Sequence, residues 1–154
     1  MTEPNQDDLT GGAALEAARR EKLRKIAELG IDPFGGRFDD HQPIGDIRAR
    51  ENEIVVEPVG DCATGKPPQQ HGPTVRAAGR LILQRRAGKL IFADIRDWSG
   101  RIQLMIGKSQ VGEQNWALAL CLDLGDIAGV DGELGRTKTG ELTIFVTALH
   151  FLTK

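Results

Sequence analysis

The feature that most constrains this chain is a period-two alternation of apolar and polar residues that returns again and again between Val75 and Val146. In RIQLMIG, Ile102, Leu104 and Ile106 point one way while Arg101, Gln103 and Met105 point the other. In LIFADIR, Ile91, Ala93 and Ile95 share one face, and Leu90, Phe92 and Asp94 share the opposite one. The stretch from Val75 places Val75, Ala77, Gly79, Leu81 and Leu83 on one side and Arg76, Ala78, Arg80, Ile82 and Gln84 on the other. Ser99-Gly100 supplies a turn between the second and third of these strands. A helical segment follows over 110–122, apolar almost without break from Trp116 to Leu122, and Gly125 ends it. A fourth strand starts at Asp126. Lys138-Thr139-Gly140 then turns the chain into a fifth, in which Leu142, Ile144 and Val146 face inward.

Three strands, a helix, then two strands is the element order of an OB-fold, a five-stranded Greek-key barrel that commonly binds oligonucleotides. The expected fold class is therefore mainly β, with the helix inserted between strands three and four and an α-helical arm ahead of the barrel. Four regions are expected: a disordered polar tail over 1–12, a helical arm over 13–56, a Pro/Gly-rich linker over 57–73 and the barrel over 74–154. Within the arm, Leu15, Ala18, Ile26 and Leu29 recur at helical spacing, Gly30 supplies the stop, and Pro33 follows. A shorter helix is expected within 41–52. Trp116 and Cys121 read as core residues that plug one end of the barrel.

Composition bounds the function. The formal charge is −2, so the whole molecule does not announce a nucleic-acid partner. Its distribution does, because Arg76, Arg80, Arg85, Arg86, Lys89, Arg96 and Arg101 face only Asp94 and Asp97 between Val75 and Arg101. A locally basic sheet is an electrostatic footprint for phosphates, although a merely solvated face has the same composition. Two distant cysteines and three scattered histidines give no metal-ligand spacing. The N-terminus MTEPNQDDL is no targeting peptide, and WALALCL, the longest apolar run, is too short to span a bilayer. A soluble, cytoplasmic protein is expected.

The outward faces of the first three strands bring forward Arg80, Phe92 and Gln103. A ring can stack a base, an amide can read its edge, and a guanidinium can hold a phosphate. Each has a plainer alternative: Phe92 as cover for an apolar cluster, Gln103 as an idle polar residue, Arg80 as a solvated charge. Glu141, beside the last turn, reads by itself as a solvent-facing carboxylate. No nucleophile–base pair, metal cluster or telling carboxylate pair suggests an independent active site.

RREKLRKIAELGIDPF (19–34), GKLIFADIRDWSGRIQLMI (88–106), LGDIAGVDGEL (124–134), TKTGELTI (137–144) and the closing LTK (152–154) together resemble the N-terminal anticodon-binding domain of class II lysyl-tRNA synthetases. The resemblance implies a partner, the anticodon stem-loop of a lysine tRNA. The residue matching Phe92 would stack on the central uridine and that matching Gln103 would read its edge. Those matching Arg80 and Glu141 would add anticodon contacts. Arg76, Arg85, Arg86, Lys89 and Arg101 are candidates for phosphate contacts. The Pro-rich 57–73 segment matches the family poorly. The resemblance also stops at Lys154, where the family continues into a catalytic domain with ATP- and magnesium-dependent motifs and the main contacts of a homodimer. The expectation is thus a fragment that binds tRNA, needs no cofactor of its own and catalyses nothing alone. A free-standing single-strand-binding barrel and a protein-interaction module are the alternatives.

Overall fold

The computed structural model describes residues 6–32, 35–56, 70–137 and 139–153. Part of the expected tail, most of the expected linker and Lys138 therefore lie outside the described residues.

The chain opens with helix α1 (Gln6–Glu28). It starts at Gln6 rather than at Ala13, so the tail expected over 1–12 is in part helical. The helix runs through Gly11-Gly12 at a cost of about 1 kcal/mol per glycine. From Gly12 to Arg20 the helix is exposed; only its last turns dock. Ile26 is fully buried, with Leu23 and Leu29 packed against the same core. Lys22 pairs with Asp123, and Gln114 Nε2 donates to the Leu29 carbonyl at 3.0 Å. Gly30, at φ +80°, ends the helix where the sequence places its stop.

Helix α2 (Ile44–Ala49) runs on into a 3₁₀ turn (Arg50–Glu53). Ile44 and Ile47 are fully buried beneath it. Asp97 anchors its start, accepting hydrogen bonds from Ile44 N at 2.9 Å, Ser99 N at 2.7 Å, Ser99 Oγ at 2.6 Å and Gly100 N at 3.1 Å. Burial alone would raise this carboxyl. The bonds from Ser99, Ile44 and Gly100 outweigh it and hold the carboxyl below the usual carboxylate range.

Two short strands, β1 (Val55–Val56) and β2 (Gln70–His71), pair antiparallel as a small ribbon. Gln70 and His71 thus belong to a strand rather than to the linker expected over 57–73. The remaining strands are β3 (Thr74–Ala87), β4 (Leu90–Arg96), β5 (Arg101–Gly107), β6 (Ile127–Arg136) and β7 (Leu142–Thr153). They close into a barrel in the order β3-β4-β5-β7-β6, with β5 and β7 parallel and the other pairs antiparallel. The inward set of the alternation is buried as read, with Ile91, Ala93, Ile95, Ile102, Leu104, Ile106, Leu142, Ile144 and Val146 at 0–3 % exposure. The first strand departs from it. A register shift between Leu81 and Leu83 turns Leu83 outward, to 55 % exposure.

Helix α3 (Lys108–Leu120) joins β5 to β6 and closes one end of the barrel with Val111, Trp116, Leu118 and Ala119. Gly112, at φ +82°, breaks it near its start. Asn115 Oδ1 accepts Leu149 N at 3.3 Å, tying α3 to β7.

Candidate nucleic-acid interface

The outward residues of the sheet line up in rows because each strand's register is fixed by the buried set behind it. One row reads Arg85, Phe92, Met105, Phe145, Glu133 across β3, β4, β5, β7 and β6. The next reads Leu83, Asp94, Gln103, Thr143, Gly135. Phe92 and Gln103 are therefore diagonal neighbours on one face, close enough for both to touch a single base. Above these rows lies a groove of about 880 Å³ lined by Arg85, Leu90, Phe92, Gln103, Met105 and Phe145 on its floor.

Two walls complete it. The first is the β1/β2 ribbon, which contributes Ile54, Val56 and Gln70. The Gln70 amide mimics a strand, donating to the Arg136 carbonyl at 2.5 Å and accepting Arg136 N at 3.0 Å. Gly72 N donates to Glu133 Oε1 at 2.8 Å, and a β-carbon at Gly72 would fall 1.7 Å from the Leu134 carbonyl oxygen. Only glycine allows the ribbon to lie this close. The second wall is the β6–β7 turn, with Arg136, Thr137 and Thr139. Arg136 is held by Glu51 at 2.7 Å and by the Gly140 carbonyl at 3.0 Å.

The structure brings Phe92 and Gln103 together in this groove. Both are half-buried, and among the described residues Gln103 has no hydrogen-bond partner for its amide. Glu141 is exposed in the β6–β7 turn and is a lesser cause raising the Asp94 carboxyl. The larger cause there is burial, and Arg101 opposes both, so Asp94 sits above the usual carboxylate range.

Arg80 is not brought to the groove. It pairs with Arg96 and Ile127 at the far corner of β3, about 13 Å along the strand from Phe92 at roughly 3.3 Å per residue. The β3 residue paired with Phe92 is Arg85, whose guanidinium carbon stands 5.5 Å from the ring centroid. The other basic candidates scatter. Arg76 is engaged by both oxygens of Asp131 at 3.2 Å and lies over the Phe38 ring at 3.9 Å, away from the groove. Arg86 leans toward Trp116, at 5.8 Å, on the α3 side. Lys89 is exposed in the β3–β4 turn. Arg101 is exposed and acts on Asp94. The basic span is thus not a single face; Arg85 is its one member lining the groove, and Arg136 from β6 supplies a second guanidinium.

Met105, Arg136 and Phe145 complete the groove and were not singled out from sequence. Phe145 was available, since it falls between inward Ile144 and Val146 and must face out. Arg136 was not, because its place depends on the ribbon.

An open sheet face with an accessible ring, an amide without a partner among the described residues and two flanking guanidinium groups suits unpaired bases. Among the described residues, no group of three or more potential metal ligands occurs, and no helix is long and apolar enough to cross a membrane.

A closed five-stranded barrel with such a face defines an OB-fold nucleic-acid-binding module. The tRNA anticodon model, described as an OB-fold nucleic acid binding domain, matches residues 75–152, and the chain belongs to that family. Its relatives narrow the likeness. The chain is 40 % identical over 136 residues to the lysine–tRNA ligase of Streptococcus gordonii, covering 88 % of this chain and 26 % of the relative. It is 41 % identical over 139 residues to that of Streptococcus pyogenes, covering 90 % and 26 %. To that of Syntrophomonas wolfei it is 36 % identical over 140 residues, covering 91 % and 25 %. The chain thus spans about a quarter of the length of these relatives.

Proposed function

We propose that this chain recognises the anticodon loop of a lysine tRNA on behalf of a lysine–tRNA ligase. The observation that carries the reading is the diagonal juxtaposition of Phe92 and Gln103 on one open face, with the Gln103 amide left free among the described residues. Phe92 stacks the central uridine. Gln103 donates to and accepts from its Watson–Crick edge, a pattern that cytosine presents with donor and acceptor exchanged. Arg85 rather than Arg80 flanks the stacked base, and Glu141 contacts the loop from the β6–β7 turn. Lysine attachment, with its ATP and magnesium, and the homodimer belong to the part of the longer relatives that this chain does not span. The cytoplasm, where tRNA is charged, is its proposed location.

The test is fluorescence titration of UUU and UCU anticodon stem-loops against wild type, Phe92→Ala and Gln103→Ala, with thermal unfolding of each. Stacking is worth about 1–3 kcal/mol per base, so Phe92→Ala should weaken UUU binding roughly ten- to a hundred-fold without lowering the melting temperature appreciably. Gln103→Ala should cost less affinity but erase the preference for uridine over cytidine. Equal binding of the two loops by wild type would point instead to a single-strand-binding barrel without sequence preference.

A further inference from the structure

The groove holds a second ring that the reading above does not use. Phe145 lies on β7, directly across β5 from Phe92, with Met105 paired to both. Two strand spacings of about 4.8 Å put the two aromatic positions about 10 Å apart, too far for one base to stack on both. The interval is suited to neighbouring bases of one strand. Stacked bases advance about 3.4 Å each, and unpaired loop bases splay well beyond that. The Met105 thioether between the rings gives both bases a polarisable floor.

The position of the Phe145 ring is built in. It lies against bare backbone, since a β-carbon on Gly135 would fall 2.6 Å from Phe145 Cε2 and 3.1 Å from Gln70 Nε2. Gly135 and the strapped-down Gln70 thus form a slot that holds this ring in the groove floor. A ring needed only for the core would gain nothing from facing outward. Ile144 and Val146, its neighbours in sequence, already fill the barrel at 0 % and 1 % exposure.

Building on the anticodon-loop reading, we propose that Phe145 is a second stacking platform, which takes a base adjacent to the one on Phe92 and so fixes the strand's path through the groove. Phe92 and Gln103 choose the central base; Phe145 and Met105 hold its neighbour in place. The selectivity of this second position is for a planar base, not for its identity, because its row offers no side-chain amide.

The experiment is a set of double-mutant cycles between protein rings and abasic sites in the UUU stem-loop. Abasic residues are placed at the central position and at each flank in turn, and affinities are scaled to the folded fraction. In wild type, an abasic site at the centre and at one flank should each cost about tenfold or more. Phe145→Leu keeps an apolar side chain without the ring and should abolish the cost at that flank while leaving the central cost intact. Phe92→Leu should do the reverse. Should Phe145→Leu fold poorly, Gly135→Ala displaces the same ring by filling its slot and should lower the flank's cost in the same way. If the costs at both flanks survive Phe145→Leu and Gly135→Ala while Phe92→Leu still abolishes the central cost, the second platform is overturned and the anticodon reading stands. If no abasic site matters in wild type, the anticodon reading itself fails, and this inference with it.

Discussion

The arginine that the structure brings to Phe92 differs from the one the strand alternation singles out, and the two make opposite predictions. Arg85→Ala removes a guanidinium 5.5 Å from the Phe92 centroid. Two contributions are lost. A cation–ring contact at a partly exposed site is worth about 0.5–1 kcal/mol. A surface ion pair to phosphate adds up to about 1 kcal/mol at low salt. Together they come to roughly 0.5–2 kcal/mol, a weakening of about two- to thirty-fold. The salt dependence carries a separate signature. Each single-strand phosphate contact contributes about −0.7 to the slope of log affinity against log salt, so Arg85→Ala should flatten the slope by about that amount. Arg85→Lys should keep the slope, because the charge remains, yet lose several-fold in affinity, because an ammonium lacks the planar face. Arg80→Ala, at the β3 corner opposite Arg96, should leave affinity within about twofold and the slope unchanged, in line with ordinary surface substitutions. The assay is titration of a fluorescent UUU stem-loop at four or five salt concentrations. A flattened slope for Arg80→Ala together with an unaltered one for Arg85→Ala would refute both the β3 register used here and the placement of the groove.

Two further predictions concern stability and can be checked by thermal unfolding across pH. Asp97→Ala removes the acceptor shared by Ile44 N, Ser99 N, Ser99 Oγ and Gly100 N, and should cost about 2–3 kcal/mol, or roughly 5–10 °C in melting temperature, without changing RNA affinity per folded molecule. Because the Asp97 carboxyl is held low, its contribution is present above the usual carboxylate pKa and is lost as pH falls through the lowered value, so wild type and variant should converge in acid. Asp94 has the opposite sign. Its carboxyl is raised by burial and by Glu141, so the ionised form costs stability at neutral pH, and Asp94→Asn should melt higher there, with the gain fading as pH drops below the raised value.

The barrel was legible because its strands are half-buried and, β5–β7 aside, antiparallel neighbours, the situation in which period-two patterning is cleanest. Ile91, Ala93, Ile95, Ile102, Leu104 and Ile106 all fill the core as their spacing requires, and Phe92 and Gln103 follow onto the outer face by default. The same rule puts Arg80 on the outer face, where it is exposed, but does not lead to Arg85 as the neighbour of Phe92. Leu81, Ile82 and Leu83 are all apolar, so nothing in that run reveals that the strand slips one residue between Leu81 and Leu83. Past the slip the parity reverses: Leu83 and Arg85 turn to the outer face, and Gln84 pairs with inward Ala93. Strand length matters equally. β3 runs 14 residues and passes from β6 to β4 at Arg80, which pairs with both, so that arginine marks a barrel corner and not the middle of a face. The groove's wall was illegible for another reason. β1 and β2 are two residues each, too short for any periodicity, and they are fixed by what they touch: Gln70 on the backbone of Arg136, Gly72 against Leu134. A site floor written in alternation and a site wall written in single tertiary contacts are different kinds of information. The residues proposed to choose a base therefore lie in the readable part of this chain, while those that set the groove's width do not.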